Sequence, residues 1–437
     1  MNYKNVIKFS VFVIITILVI TGMELKAQDW PQWRGPNREG IYKATGLNLD
    51  WSQKKPTLLW TFRQAGSGYS APTIVGTTLY CQGGSDGKDF AFALDTKTGK
   101  LKWKQELGDE FVDPGNRGNG PRGSVTVDGD KLYLIRGGGQ IHCISAADGK
   151  MIWQKDFKTD FGGRLMSGNN WGISESPLVD GNLVICTPGN DNGTMAALDK
   201  NTGAVVWRST EWTDPCGFSS AIIIEVGGIR QYIQQASKGV AGISAKDGKM
   251  LWKIDYPSTG RAPAAVIPTP ISNNNMVYVT NGYGNGCMGI SLSKEGAGIK
   301  AELIYSNARD ISNQHGGVVL VNGYIYGHSE RPSESWVCQN FKTGEIVWSQ
   351  KTQDAGVGKG SLLVVGDRLF CFDMAKGTLA VAAASTEGWK EFGRMEIPER
   401  IENDQSMDKH LWTHPVVANS NLYLRDHDLL FCFDLKK

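Results

Sequence analysis

Apolar and polar residues alternate in one phrase that returns five times along the chain. Its copies are ALDTKTGKLKW (93–103), CISAADGKMIW (143–153), ALDKNTGAVVW (197–207), GISAKDGKMLW (242–252) and CQNFKTGEIVW (338–348). In each copy an apolar run leads into a polar turn, whose glycine stands four residues before a Trp that ends a second run. Two such runs around a glycine-containing turn predict a β-hairpin.

A second kind of hairpin precedes the first. It begins with small residues, turns, and ends in an apolar and aromatic run. Eight copies start near Ser70, Gly123, Glu175, Ser220, Thr269, Gly316, Gly360 and Thr413. Two hairpins make a unit of four strands. The aromatic residues that end successive units, at 60, 103, 153, 207, 252, 305, 348 and 392, are 43 to 54 residues apart. This period predicts an all-β fold, an eight-bladed β-propeller of four-stranded blades.

The last blade is predicted to contain both ends of the chain. The segment LLFCFDLKK stops just after Asp434, where the turn of its hairpin is due, and an unpaired strand, PTLLWTF, lies near the start at Trp60. Joining the two closes the ring without a bare sheet edge. Each of the eight cysteines then falls in a different blade. We therefore expect mostly buried free thiols and not a disulfide framework.

The N-terminal region divides into two parts before the propeller, which is expected over 57–437. Residues 1–27 have early lysines, a short apolar run and a small residue at the end, as in a secretory signal peptide; retention as an anchor is the alternative. This segment contains Lys4, Lys8, Lys26 and Glu24, so its removal changes the formal net charge of the chain from +2 to 0. A neutral chain without basic runs is a poor partner for nucleic acid.

The phrase Ala-x-Asp-x-x-Thr-Gly-x-x-x-Trp resembles the docking motif of the pyrroloquinoline-quinone (PQQ) repeat. The resemblance covers the chain from about Pro56 to its end. It implies the same propeller, with structural docking roles for Trp60, Trp103, Trp153, Trp207, Trp252 and Trp348. The family includes quinoprotein alcohol dehydrogenases, which hold PQQ and calcium, and BamB-like scaffold proteins without a cofactor. The extension at 28–56 contains DWPQWRGPNREG, which resembles the start of many secreted PQQ-like proteins. Trp30 and Trp33 are expected to pack on the ring with Arg34 extending across them to solvent; a partner-binding segment is the alternative.

A ligand site is expected at the mouth of the central channel, where the loops leading into the innermost strands meet. The candidates on these loops are Tyr69, Arg122, Trp171, Glu175, His315, Lys359, Trp412 and His414. Structural roles are the alternative for each: backbone hydrogen bonds for the histidines, an ion-pair ring for the charged residues, and packing for the tryptophans.

The enzyme interpretation has a weaker basis in the sequence. The dehydrogenase resemblance implies calcium ligands, for which Glu175 and Asn170 are the candidates. Arg122 and Lys359 would face the quinone, with Trp171 stacked on it. No Cys–Cys pair occurs, and no aspartate stands at a mouth position to act as base. A zinc or copper site at His315 and His414 is a further option. We expect a periplasmic or secreted binding or scaffold protein without a cofactor, not a lipoprotein. Its partner would be a small polar or carbohydrate-like ligand or an envelope protein; the alternative is a PQQ- and calcium-dependent alcohol dehydrogenase.

Overall fold

Eight consecutive sheets, each built on four antiparallel strands, confirm the eight-bladed propeller, and one of them carries a fifth, parallel strand. The computed structural model describes residues 28–43, 45–115, 117–164, 171–257, 265–307, 310–401 and 409–437. The predicted signal peptide lies outside these residues. Among them no helix is long and apolar enough to cross a membrane.

Each blade runs outward from an inner strand at the channel to an outer strand at the rim. Two strands precede blade 1: β1 Ile41–Tyr42 and β2 Thr57–Phe62. Blade 1 comprises β3 Thr73–Val75, β4 Thr78–Ser85, β5 Lys88–Asp95 and β6 Leu101–Asp109, and blade 2 comprises β7 Thr126–Asp128, β8 Lys131–Ile135, β9 Gln140–Ser145 and β10 Met151–Asp156. Blade 3 comprises β11 Leu178–Asp180, β12 Leu183–Cys186, β13 Ala196–Asp199 and β14 Val205–Arg208, and blade 4 comprises β15 Ile222–Val226, β16 Ile229–Gln235, β17 Gly239–Ser244 and β18 Met250–Asp255.

The second half of the ring repeats this order, with one short helix after blade 6. Blade 5 comprises β19 Ile271–Asn273, β20 Met276–Asn281, β21 Gly286–Glu295 and β22 Gly298–Asn307. Blade 6 comprises β23 Val318–Val321, β24 Tyr324–Ser329, β25 Ser335–Asn340 and β26 Ile346–Lys351, and the helix α1 Thr352–Ala355 follows it. Blade 7 comprises β27 Gly360–Val365, β28 Arg368–Asp373, β29 Thr378–Ala383 and β30 Glu391–Glu396, and blade 8 comprises β31 Val416–Ala418, β32 Asn421–Asp426 and β33 Leu429–Asp434 together with β2.

The Trp and the Gly of the repeated phrase are partners across neighbouring blades. The Trp60 ring covers Gly99 in the turn of blade 1, and its Nε1 donates to Thr96 O at 2.9 Å. Gly99 has φ +67°, and a Cβ there would lie 2.6 Å from the ring of Trp60. Glycine is therefore required here for two reasons: its backbone can adopt the positive φ, and it has no Cβ that would clash with the ring. The same pairing joins Trp103 to Gly149, Trp153 to Gly203, Trp207 to Gly248 and Tyr305 to Gly344.

Blade 8 closes the ring as predicted. Strand β2 pairs antiparallel with β33, and Trp60 lies opposite Cys432. Arg425, which is 1 % exposed, crosses the seam to blade 1, where its guanidinium donates to the carbonyls of Ser70 and Gln82, both at 2.8 Å. These contacts satisfy a buried cation without a carboxylate. All eight cysteines are free and buried, and seven lie in strands, as predicted.

The N-terminal extension enters the central channel from the face opposite the mouth. Gln28 O accepts a hydrogen bond from Asn419 N in the β31–β32 turn, and Trp30 forms a two-way backbone bridge with Ile74 of β3. The chain then turns back and runs parallel to β27 as β1. We call residues 30–40 the channel loop. Trp30 is buried, in line with the packing expected for it.

Two arginines fasten the channel loop to opposite parts of the ring. Arg38 donates to the carbonyls of Ser176 (2.7 Å) and Pro177 (3.1 Å), next to blade 3. Arg34 is only 4 % exposed and donates to Val318 O of blade 6. The expectation that Arg34 reaches solvent was wrong, because the channel walls are so close that backbone carbonyls take the place of water.

Candidate ligand-binding site at the channel mouth

A cavity of about 350 Å³ lies at the mouth of the channel. Its volume lies within the range of small-molecule sites. Most of its walls come from the loops that lead into the inner strands, and the channel loop contributes Trp33. The lining residues are Trp33, Tyr69, Asp113, Arg117, Arg122, Trp171, Ser174, Phe218, Ser220, Ile267, Tyr283, Gln314, His315, His410, Trp412 and His414. Six of the eight residues predicted from the sequence are among them; Glu175 and Lys359 are not.

Aromatic rings form much of the cavity wall. Tyr69 packs on Trp412 with ring centroids 5.0 Å apart, and Trp412 stacks on His410 at 5.6 Å. On another part of the wall Trp171 stacks on Phe218 at 5.9 Å. Flat apolar surfaces of this kind suit the faces of aromatic rings or sugars.

Arg122 lines the cavity as half of a buried ion pair. Its guanidinium donates to Asp113 Oδ2 at 3.0 Å and to Gly118 O at 2.9 Å, and its side chain is 7 % exposed. The side chain of Asp113 has no exposed surface. Because the pair holds the loop 113–122 together, the structural alternative for Arg122 has direct support.

Arg117 is the more accessible cation of the wall. Its guanidinium lies 4.5 Å from the centroid of the Trp171 ring, its contact with Asp113 Oδ1 is long at 3.4 Å, and the side chain is 39 % exposed. One carboxylate thus faces two arginines, so this side of the cavity carries a net positive charge. An anionic group would be attracted to Arg117.

The two predicted histidines are neutral at neutral pH. Burial lowers the pKa of His414 to about 3, and its Nε2 donates to His315 O at 2.9 Å. Burial, aided by the charge of Lys359, also holds the pKa of His315 well below its usual value. Neither ring nitrogen of His315, nor Trp412 Nε1, has a hydrogen-bond partner among the described residues. Buried polar atoms are normally paired, so these almost fully covered nitrogens are unsatisfied hydrogen-bonding groups within residues that line the cavity.

Lys359 lies behind the wall and positions two residues that line it. Its ammonium group donates to Gln314 Oε1 and to Glu330 Oε1. Gln314 Nε2 in turn donates to the Tyr283 hydroxyl at 2.5 Å, and Glu330 Oε2 accepts from Tyr283 N at 2.8 Å. Tyr283 has φ +60° and is 47 % exposed at the rim. Non-glycine residues whose backbone is held in the left-handed region by surrounding contacts occur often at functional sites.

Glu175 faces away from the cavity, into the contact between blades 3 and 4. Its carboxyl oxygens accept from Thr187 N (2.8 Å) and Thr187 Oγ1 (2.7 Å), and Gln234 Nε2 approaches at 3.4 Å. Burial raises its pKa to about 7, against the opposing effects of the two Thr187 hydrogen bonds and of the Arg38 charge. Asn170, the other candidate calcium ligand, lies outside the described residues. In the part of the chain that the structure describes, no three metal-ligating side chains form a cluster.

Several residues of the wall were not predicted from the sequence, chiefly Trp33, Asp113, Arg117, Tyr283 and Gln314. Arg117 and Asp113 belong to the long segment ELGDEFVDPGNRGNGPRG, whose length is a signal for function. Tyr283 stands among glycines in NGYGNG, which is a signal for an unusual backbone. The position of Trp33 has no local signal, because it depends on how the extension threads the ring.

Comparison with known proteins gives one family and several distant relatives. The sequence profile described as "Outer membrane protein assembly factor BamB" matches residues 93–350. The tetrathionate hydrolase of Acidithiobacillus ferrooxidans is 25% identical over 55% of this chain and 48% of its own length. BamB of Yersinia pestis is 26% identical over 50% and 52%. The quinoprotein ethanol dehydrogenase of Pseudomonas aeruginosa is 25% identical over 43% and 28%. The matches thus span about half the length of these relatives or less.

Two solved structures share the fold over most of the chain. BamB from Moraxella catarrhalis superposes with a TM-score of 0.60 at 15% identity, covering 87% of this chain and 98% of that one. The quinohemoprotein alcohol dehydrogenase from Comamonas testosteroni gives 0.62 at 13% identity, covering 93% and 80%. At such low identity these similarities concern the fold.

Proposed function

The chain belongs to the family of the outer membrane protein assembly factor BamB, and from this premise we propose that it is a binding protein whose propeller holds a ligand in the mouth cavity. The observation that carries the proposal is the joint wall of aromatic rings, one accessible arginine and unpaired polar atoms on His315 and Trp412. Such a wall binds a flat or polyhydroxylated molecule and offers Arg117 to an anionic group.

The same wall supports binding more than catalysis. Asp113 is the one carboxylate among the lining residues described, and Arg122 holds it at 3.0 Å. A general base needs a free lone pair within reach of its substrate. Burial holds the pKa values of His315 and His414 well below their usual range, which makes these two imidazoles weak bases.

The alternative is a PQQ- and calcium-dependent dehydrogenase, which the relative named quinoprotein ethanol dehydrogenase favours. The aromatic walls and Arg117 suit a flat anionic ring system. The described residues offer no cluster of calcium ligands at the cavity, because the predicted ligand Glu175 accepts hydrogen bonds from Thr187 inside the contact between blades 3 and 4. Calcium prefers six to eight oxygen ligands, several of them from carboxylates. The described residues therefore do not fit the quinone and calcium together.

The experiment is a thermal-shift and tryptophan-fluorescence titration with aromatic carboxylates, dicarboxylates, mono- and disaccharides, and PQQ with calcium. We expect at least one of the first groups to raise the Tm of the wild type and to bind Arg117→Gln about 10-fold more weakly. Arg63→Gln is the matched control, since Arg63 pairs with Glu399 on the surface and does not line the cavity. No shift with any compound would refute the proposal, and alcohol-dependent dye reduction with PQQ and calcium would replace it by the alternative.

We also propose that the protein acts in the periplasm or outside the cell and that residues 1–27 are removed. The family description, which refers to the outer membrane, supports this location. The charge pattern at the start of the sequence supports the cleavage. N-terminal sequencing of the protein recovered from a periplasmic fraction should begin near Gln28. Recovery of the uncleaved chain in the membrane fraction would contradict this part of the proposal.

A further inference from the structure

The channel loop contributes to the cavity although it belongs to none of the blades. One of its residues, Trp33, lies across the channel: Nε1 donates to Thr269 Oγ1 beside blade 5 at 2.8 Å, and the ring packs edge-on against His414 beside blade 8 at 4.6 Å. Both contacts lie where the inner strands begin, at the mouth end of the channel. Trp33 therefore forms the base of the cavity.

The channel loop is fixed in place, since its backbone and side chains bond to several blades. Pro31 O accepts from Val127 N of blade 2 at 2.8 Å, and Gly40 O accepts from Val364 N of blade 7 at 2.9 Å. Arg34 and Arg38 add the contacts to blades 6 and 3 described above. Withdrawing the loop would leave these carbonyls, amides and guanidinium groups unpaired in a narrow channel, which is costly. The loop is thus part of the binding site and not a mobile gate.

We propose that Trp33 is a specificity-determining residue of the mouth cavity, which contacts the ligand from below and sets the depth of the site. The inference rests on the proposed binding function. An apolar, planar part of the ligand packs on the Trp33 ring at the base, while its anionic group reaches Arg117 at the rim, where that side chain is 39 % exposed.

The first test asks whether the Trp33 ring faces a space that opens to solvent. Trp33→Ala should lower the Tm by about 5 °C or more, and millimolar indole, entering through the mouth, should restore most of this loss. Trp51→Ala is the matched control: Trp51 is 2 % exposed in the same extension, packs on Phe370 at 5.1 Å and does not line the cavity. Indole should not rescue it. Equal rescue of both variants, or of neither, would overturn the proposal.

The second test uses 8-anilinonaphthalene-1-sulfonate, an aromatic anion with a planar naphthalene ring, as the probe. Trp33→Leu, which keeps an apolar side chain and is the safer variant for folding, should weaken probe binding about 10-fold. Thr269→Val removes only the hydrogen bond of the indole and should change affinity by less than about 3-fold. Near-ultraviolet circular dichroism verifies that each variant is folded.

The role of Trp33 and the binding function can be refuted separately. If the probe binds the wild type and Arg117→Gln weakens it while Trp33→Leu does not, the role of Trp33 is refuted and the binding function stands. If neither the probe nor any compound of the titration binds the wild type, the binding function is refuted. In that case the indole experiment still decides whether Trp33 is the exposed base of a cavity.

Discussion

Replacing Arg122 by alanine should destabilise the protein, although the residue lines the candidate site. The guanidinium group is nearly buried and binds Asp113 Oδ2 and Gly118 O. In the variant the Asp113 carboxylate, which has no exposed surface, retains from the described residues the 2.6 Å hydrogen bond from Gly115 N and the long contact with Arg117. The loop from 113 to 122 would lose its central contact.

The size of the effect follows from this burial. Removing one partner of a buried ion pair costs about 3–5 kcal/mol, mostly from the charge that is left unpaired. Removing Arg117, which is 39 % exposed and makes a long ion-pair contact with Asp113 and a contact with the Trp171 ring, should cost about 1 kcal/mol. The two arginines of one wall are therefore expected to have different roles: the stability of the fold depends on Arg122, and the affinity for the ligand depends on Arg117.

The assay is urea unfolding at 25 °C of Arg122→Ala, Arg117→Ala and Asp113→Asn, and of the double variant Arg122→Ala/Asp113→Asn. The double variant should be more stable than Arg122→Ala alone, because it no longer contains an unpaired buried charge. A free energy of unfolding that Arg122→Ala leaves unchanged, together with weaker binding of the anionic probe, would refute the reasoning. Arg122 would then be a ligand contact.

Three further predictions concern Glu175, Gly99 and the cysteines. The pKa of Glu175 is raised by burial from 4.5 to about 7 in the folded state; the protonated carboxyl thus stabilises the fold fully below about pH 4.5, and this contribution is lost as the pH rises through 7. Urea unfolding should show this loss between pH 5 and 7.5 for the wild type and a smaller one for Glu175→Gln, and equal pH profiles would contradict it. Gly99→Ala should cost more than Gly87→Ala in the same assay: both have positive φ, but only at Gly99 would a Cβ meet the Trp60 ring, at 2.6 Å. Equal costs would argue against the docking of Trp60 on that turn. Thiol titration without reductant should find at least six of the eight cysteines free after denaturation and almost none in the native protein, whereas three or four disulfides would be incompatible with the blade assignment.

The repeated phrase was sufficient to predict the architecture. A two-residue alternation reports which face of a strand is buried, and the spacing of Gly and Trp reports where each hairpin turns. These signals are local and recur in each unit, so the blade number, the closure through Trp60 and the burial of free thiols could all be derived before the structure was known. The closing strand was predictable because an unpaired strand at each end of the chain leaves only one way to complete the last blade.

The candidate site was predictable only in part. That certain loops meet at the mouth follows from the topology, and this is why six of the eight residues named from the sequence line the cavity. Glu175 and Lys359 belong to the same loops, yet Thr187 and Gln234 bind the first, and Glu330 and Gln314 bind the second, away from the cavity. Whether a polar side chain at a loop faces a ligand or a neighbouring strand depends on partners that no local pattern identifies.

Sequence alone therefore determined the ring, whereas tertiary structure decided what its mouth contains. The strand pattern specifies contacts between residues that are close in the chain or one repeat apart. Trp33 and Thr269, by contrast, are 236 residues apart, and they meet because the extension threads a channel that exists only once all eight blades are closed. Both the base of the cavity and its single accessible arginine arise from such long-range packing, since side chains at a loop are oriented by whatever surrounds them in the folded protein.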